Sequence, residues 1–315
     1  SFVSLLVLFI NSEFGNITVY YNSHTTKPLF YKISGLWGNH EGSLLLWLLI
    51  LTFTNFLYFS SSLNRSIKER LFTVIFQQII IFGFIVFLIF TSNPFSDLFP
   101  VPKEGLGLNP ILQDPILAIH PPILYLGYVS TSIIFSSALS SLILGSVDKS
   151  WASHIKKWIL GSWIFLTGGI LLGSIWAYYE LGWGGFWFWD PVENISLMPW
   201  ISLTALLHCI LVLGKRSSLG SWSIILCIST FTLSVCGTFL VRSGILNSVH
   251  TFANDPERGL YILLFLFFII FLSLIIYFLY EEKLNISNKS FGFITKESHI
   301  LINNWFLMYF LSVIL

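Results

Sequence analysis

The sequence predicts an all-α protein, a polytopic transmembrane helical bundle of about 8–9 spans with a Trp-rich segment on its outer face. Three observations predict it. Of 315 residues, 55% are hydrophobic and 10% are charged, and mean hydropathy is +0.80. Apolar runs recur along the whole chain. The polar segments between them alternate in charge. A soluble domain carries about 25% charged residues, so this composition excludes a soluble enzyme, a disordered regulator and a nucleic-acid binder. The net charge of +1 points to no acidic or basic partner.

The runs occupy 43–59, 71–90, 122–144, 158–177, 197–213, 222–240 and 260–280. About 20 apolar residues cross the hydrocarbon as a helix. The shorter runs can borrow interfacial Trp and Tyr. Lipid leaves an open strand with unsatisfied backbone groups, so length decides for helix. Both ends are apolar: 1–10 is too short to span, and 300–315 stops within apolar sequence. The expectation is a single transmembrane domain over 1–315, forming the N-terminal part of a longer or split protein. The start has no basic n-region and no small-residue cleavage site. Three cysteines, Cys209, Cys227 and Cys236, sit in apolar runs without CxxC spacing and read as packed thiols. Abundant Phe and scarce Ala suggest an AT-rich coding genome, such as an organelle's.

Segments 60–70, 145–157, 214–221 and 281–299 hold eleven of the sixteen Lys and Arg. Segments 11–42, 91–121, 178–196 and 241–259 hold the other five and ten of the fifteen acids. The positive-inside rule puts the basic set in the cytoplasm or matrix. The acidic, longer set faces the periplasm or intermembrane space, and long loops are where function usually sits.

The densest feature is segment 176–200, WAYYELGWGGFWFWDPVENISLMPW. It holds Trp176, Trp183, Trp187, Trp189 and Trp200, with Glu180, Asp190 and Glu193 and no Lys or Arg. An interfacial aromatic belt is one reading. Against it, a belt spreads over many helix ends, and here five Trp share one stretch. Gly182, Gly184 and Gly185 also admit close approach to the backbone. An apolar platform beside glycines suits a large planar ligand.

Of seven histidines, His24, His154 and His299 lie in polar segments and read as solvated. His120 precedes Pro121 and Pro122 at the outer mouth of a span. His250 lies in an outer loop. Each alone reads as an interfacial His; together, beside the platform, they could hold haem iron from opposite sides. Arg242 and Arg258 suit haem propionates, or ordinary salt bridges. His208, eleven residues into its run, lies roughly 16 Å deep. It is a functional candidate by depth or a neutral His bonded to a carbonyl. No second His of this chain is clearly buried at that depth.

These residues resemble the haem lyase subunit of cytochrome c maturation, the CcmF family, among the haem-handling membrane proteins named for a WWD motif. The resemblance is carried by WGNHEGSLLLW (37–47), LIFTSNPF (88–95), LQDPILAIHPPILYLGYV (112–129), the WWD stretch 176–200, TALLH (204–208) and GTFLVRSGILNSVHTFANDPERG (237–259). Phe186 and Phe188 stand where bacterial members often have Trp. The resemblance implies an outer haem substrate on the WWD segment, received from a haem chaperone, with Trp176, Trp183, Gly184, Gly185, Trp187, Trp189, Asp190, Arg242 and Arg258 around it and His120 and His250 as axial ligands. It implies that His208 is one ligand of a buried, permanent haem b, whose second ligand lies in a C-terminal half or second chain. It further implies a holocytochrome c synthase activity within a complex, attaching haem by thioether bonds to the CxxCH site of apocytochrome c brought by a thiol-presenting subunit. No residue stands out as general acid or nucleophile. The implied place is the mitochondrial inner membrane, or alternatively a bacterial plasma membrane. Other readings of the chain are a haem carrier without ligation and an inactive structural subunit of a larger assembly.

Overall fold

The computed structural model describes residues 1–182, 187–245, 256–284 and 295–314. Among these the chain is helical, and no strand forms beyond an isolated bridge between Asn16 and Asp97. Seven helices are long and apolar enough to cross a membrane. They are α4 (His40–Ser61), α5 (Ile67–Thr91), α6 (Pro115–Leu144), α7 (Lys149–Glu180), α8 (Pro191–Arg216), α9 (Gly220–Arg242) and α10 (Pro256–Tyr280). Each contains one of the seven runs and extends past it. The extensions are polar first turns that the caps make possible: Asn39, Ser66, Asp114, Asp148 and Asp190 accept hydrogen bonds from first-turn amides of α4 to α8.

These seven are counted among the described residues alone. Helix α1 (Phe2–Asn11) has ten residues and cannot cross. With α2 (Ile17–Asn22) and α3 (Leu29–Gly35) it forms a cap against the start of α4. Helix α11 (Lys296–Ile314) carries Lys296, Glu297, His299, Asn303 and Asn304 and is not among the seven. It lies along α8, tied by an Arg216–Glu297 ion pair and by Asn304, whose amide donates to the Ala205 carbonyl at 3.3 Å. In the cap, Lys27 is buried and donates to the Asn22 carbonyl at 3.0 Å. Burial, then the neighbouring Lys32, lower its ammonium to about 8.

Helix α6 is the axis of the bundle and touches α4, α5, α7, α9 and α10. It is also rich in hydroxyls, which in hydrocarbon must find partners. They find them on its neighbours. Gln77 of α5 donates to Ser132 at 2.9 Å and accepts from Ser136 at 3.1 Å. Ser140 and Ser141 bond the backbone and carboxylate of Glu69, which Arg65 grips with two nitrogens at 2.8 and 2.7 Å. Tyr58 and Trp151 both donate to Ser137. Ser130 pairs with Ser162 of α7, and Thr131 with Ser234 of α9. Each such bond between spans is worth about 0.6 kcal/mol on average. His154, expected to be solvated, is instead half-buried edge-on to the Tyr58 ring at 5.4 Å, because α7 begins at Lys149 and carries it inward. Cys209 and Cys227 are buried and Cys236 partly so, as packed thiols should be.

The α6–α7 contact is backbone to backbone. A Cβ on Gly127 would fall against the Leu166 nitrogen, and one on Gly169 would lie 2.5 Å from the Leu124 Cα. Small residues at such positions let spans meet closely. Gly127→Val should therefore lower the thermal midpoint and the yield of folded protein, with overpacking costing about 1–3 kcal/mol or more. Wild-type melting of that variant in detergent would contradict the contact. The alternation of spans places Ser217 on the basic side. A cysteine at Ser217 should be labelled from the inner face; labelling only from the outer face would overturn the topology.

Candidate functional site

The outer ends of α4, α6, α7, α8, α9 and α10 converge with the aromatic segment. Asp114 caps α6, accepting from the Leu117 amide at 2.8 Å. The helix therefore starts before His120, which the sequence places at the mouth of a span. His120 lies in the second turn, with Pro121 and Pro122 inside the helix. Pro122 cannot donate to the Ala118 carbonyl four residues back. The Trp37 indole donates to it instead, at 2.9 Å. That bond lets the helix run through the two prolines and fixes the depth of His120.

Helix α7 orients the ring. His120 Nδ1 lies 2.7 Å from the Gly169 carbonyl. A carbonyl only accepts, so the proton sits on Nδ1 and the lone pair on Nε2. This is the arrangement that metal-ligating imidazoles use. A Cβ on Gly173 would stand 2.7 Å from His120 Cε1, so glycine there makes room for the imidazole. Sequence reasoning missed this pair, although the small-xxx-small spacing Gly169–Gly173 was its signal.

Trp176, one turn beyond Gly173, is buried at 2% exposure. It forms an inner wall, not an open surface. Trp200 is also turned inward: its indole donates to Thr167 at 2.8 Å and its ring stacks on Trp163. Among the described residues the open part of the segment is Tyr178, Phe188 and Trp189, each over half exposed, with Tyr179 also exposed and Trp187 half-buried and edge-on to Trp189 at 6.3 Å. Trp189 has φ +62, a costly conformation for a bulky residue. Asp190 and Glu193 form a capping box: Asp190 accepts from the Val192 amide at 2.9 Å, and Glu193 from the Phe188 and Asp190 amides at 3.1 and 3.3 Å. The Asp of the aromatic motif thus starts helix α8 immediately after the strained Trp. Trp183, Gly184, Gly185 and His250 lie outside the described residues.

The two arginines are at helix ends, not in a free loop. Arg242 ends α9 and is buried; it donates to Ser43 Oγ at 3.0 Å and to the His40 ring, with Nδ1 at 2.6 Å. Guanidinium has only donors, so the imidazole accepts and is neutral. Arg258 sits in the first turn of α10, donating to Glu41 at 3.0 Å and to the Thr91 carbonyl at 3.1 Å. Glu41 is a site residue that sequence reasoning gave no part; His40, which the sequence offers only as a fallback internal ligand for the buried haem, is engaged with Arg242. Arg242 also bonds Tyr125, and the Glu41 carboxylate that pairs with Arg258 acts on Arg242 as well, so two guanidiniums share one carboxylate and the cluster carries net positive charge.

His208 lies apart. Because α8 begins at Pro191, with a polar first turn ahead of the apolar run, His208 is about 26 Å along the helix from that end. It is half-buried, with the Asn303 amide nitrogen 3.3 Å from Nδ1. An imidazole at that depth, open on one side of the bundle, is suited to a haem iron. Among the described residues, no three His, Cys, Asp or Glu gather to hold a metal ion without a macrocycle.

Fold and site define a multi-pass helical membrane protein with one imidazole oriented beside an outer aromatic segment and another at the bundle's side. Residues 37–246 match the family model described as cytochrome C assembly protein, and the chain belongs to that family. It is 51% identical over 306 residues to the cytochrome c-type biogenesis protein ccl1 of Rhodobacter capsulatus, covering 96% of this chain and 46% of that protein. It is 46% identical over 318 residues to the cytochrome c-type biogenesis protein CcmF of Escherichia coli, covering 100% of this chain and 49% of that one. A solved structure titled cytochrome c heme lyase CcmF superposes with TM-score 0.79 at 24% identity, over 99% of this chain and 46% of that chain, and so shares the fold. The chain spans about half the length of these relatives.

If Gly173 makes the room for His120, Gly173→Ala should weaken haem binding at the outer site about tenfold or more. Gly161→Ala, with nothing within 4 Å of the added Cβ, should not. Equal haem affinity in the two variants would remove Gly173 from the site.

Proposed function

We propose that this chain is the haem-handling part of a cytochrome c haem lyase, receiving haem on its outer face and presenting it for attachment to apocytochrome c. One observation carries this reading: His120 is anchored through Nδ1 by Gly169 and seated over Gly173, which puts the ring's proton on Nδ1 and its lone pair on Nε2. The names of the relatives support it.

In this reading haem is substrate. His120 and His250 would take its iron, Trp187, Trp189 and the glycines 184 and 185 would lie along its plane, and Arg242 would take a propionate. Each thioether forms when a cysteine S–H of CxxCH adds across a vinyl C=C. Sulfur bonds the carbon nearest the ring, and hydrogen ends on the terminal carbon. No oxidant is consumed. The chain's contribution is to fix iron, plane and propionates while thiols approach, and proximity of this kind can supply several kcal/mol.

His208 would hold a resident haem b, which when bound supplies a one-electron store. Its second ligand would come from sequence equivalent to the remaining half of the relatives, on the same or a second chain. A haem chaperone, apocytochrome c and its thiol-presenting subunit are the proposed partners. Composition points to a mitochondrial inner membrane, while the bacterial relatives suit a plasma membrane equally; in both, segment 176–200 faces the outer compartment.

His120→Ala and His250→Ala should each abolish cytochrome c maturation in cells and weaken outer haem binding, with unchanged membrane levels and melting. If both variants mature cytochrome c at wild-type rate, the site is misassigned. In the complete assembly, His208→Ala should remove a six-coordinate low-spin haem b spectrum and leave outer haem binding in place.

A further inference from the structure

Helices α8 and α11 run antiparallel, and their sequences put two polar residues at one level. His208 is eight residues from the inner end of α8, about 12 Å, and Asn303 is seven from the inner end of α11, about 11 Å. Their side chains meet at 3.3 Å, with Asn303 on the exposed side of the bundle. On that face of α11 its neighbours are Phe306 and Phe310, 57% and 43% exposed, and His299 one turn back. An amide at this depth among aromatic side chains is costly unless it has a task.

The adjacent asparagine does a different job. Asn304 is fully buried, with its Nδ2 3.3 Å from the Ala205 carbonyl and 2.8 Å from Cys209 Sγ. It holds α11 on α8 through Ala205, about one turn before His208, and Cys209, the residue after it. With Arg216–Glu297 closing the inner end, α11 has a fixed register. Asn303 is therefore not needed to hold the helices together, and its position against His208 follows from that register.

We propose that Asn303 is a positioning residue for His208, holding the imidazole by its Nδ1 so that Nε2 is presented to a haem iron on the exposed side of the α8–α11 pair. The proposal rests on the reading of His208 as a haem b ligand. A ring that gives Nε2 to iron carries its proton on Nδ1, and that proton needs an acceptor. A side-chain amide presents oxygen or nitrogen in the same place after a half-turn of its plane. With the carbonyl oxygen toward His208, Asn303 accepts from Nδ1–H. Iron-bound imidazole then becomes more basic and favours ferric iron. The amide thus acts on two things at once: the direction of the ring and the reduction potential of whatever iron it binds.

The test uses the chain purified from membranes in its complete assembly, with pyridine haemochrome spectra and a redox titration of the b-type haem. Asn303→Leu should keep the haem but shift its reduction equilibrium about tenfold toward ferrous, about 59 mV for one electron. Asn303→Asp should shift it toward ferric, and Asn303→Gln should restore values near wild type. Protein level and melting should be the same in all three, since Asn303 is exposed. If His208→Ala removes the haem b but the Leu and Asp variants both titrate like wild type, the role of Asn303 is overturned and the ligand reading stands. A haem b that survives His208→Ala overturns both.

Discussion

The close approach of α6 and α7 is the contact on which the rest of the structure depends. At Gly127 and Gly169 the two backbones meet with no room for a side chain. Only at that spacing can the Gly169 carbonyl reach His120, and only with Gly173 bare can the imidazole lie where it does. The same approach brings Ser130 to Ser162 and aligns α7 with α8, where Trp163 and Trp200 exchange indole bonds with Thr204 and Thr167. The aromatic segment grows from the outer end of this pair. Its placement is inherited from two glycines deep in the membrane.

A second constraint is electrical. Hydrocarbon does not solvate hydroxyls, amides or charges, so α6 can be polar only because each neighbour brings a partner. The inner half of the bundle closes around Glu69 and Arg65, and the outer half around Arg242, Arg258, His40 and Glu41. These pairs act as pins across α4, α9 and α10, leaving the outer end positively biased at Arg242. The same reasoning makes Asn303 informative: it is an exposed amide on a largely apolar helix, and its nitrogen lies 3.3 Å from the His208 imidazole.

The sequence by itself determined the class and the seven runs, because burial in lipid requires a composition and a length that no soluble fold shares. It also marked His120, His208 and the aromatic segment, because titratable and planar groups are rare in such a chain. It could not say which aromatic side chains face inward, since a Trp at the interface and a Trp in the core obey the same pattern; Trp176 went to the core, Trp200 packs half-buried against it, and Trp189 is on the surface. It set the start of α6 too late, because two prolines look like a boundary until an indole from a segment 81 residues away takes over the orphaned carbonyl. It left Glu41 without a part and did not pair His40 with Arg242, because their partners lie about 200 residues along the chain. The tertiary structure alone decided these pairings. Hydrogen bonds and backbone contacts between helices depend on rotation and register, and those are set by the packing of all the spans together, not by any one of them.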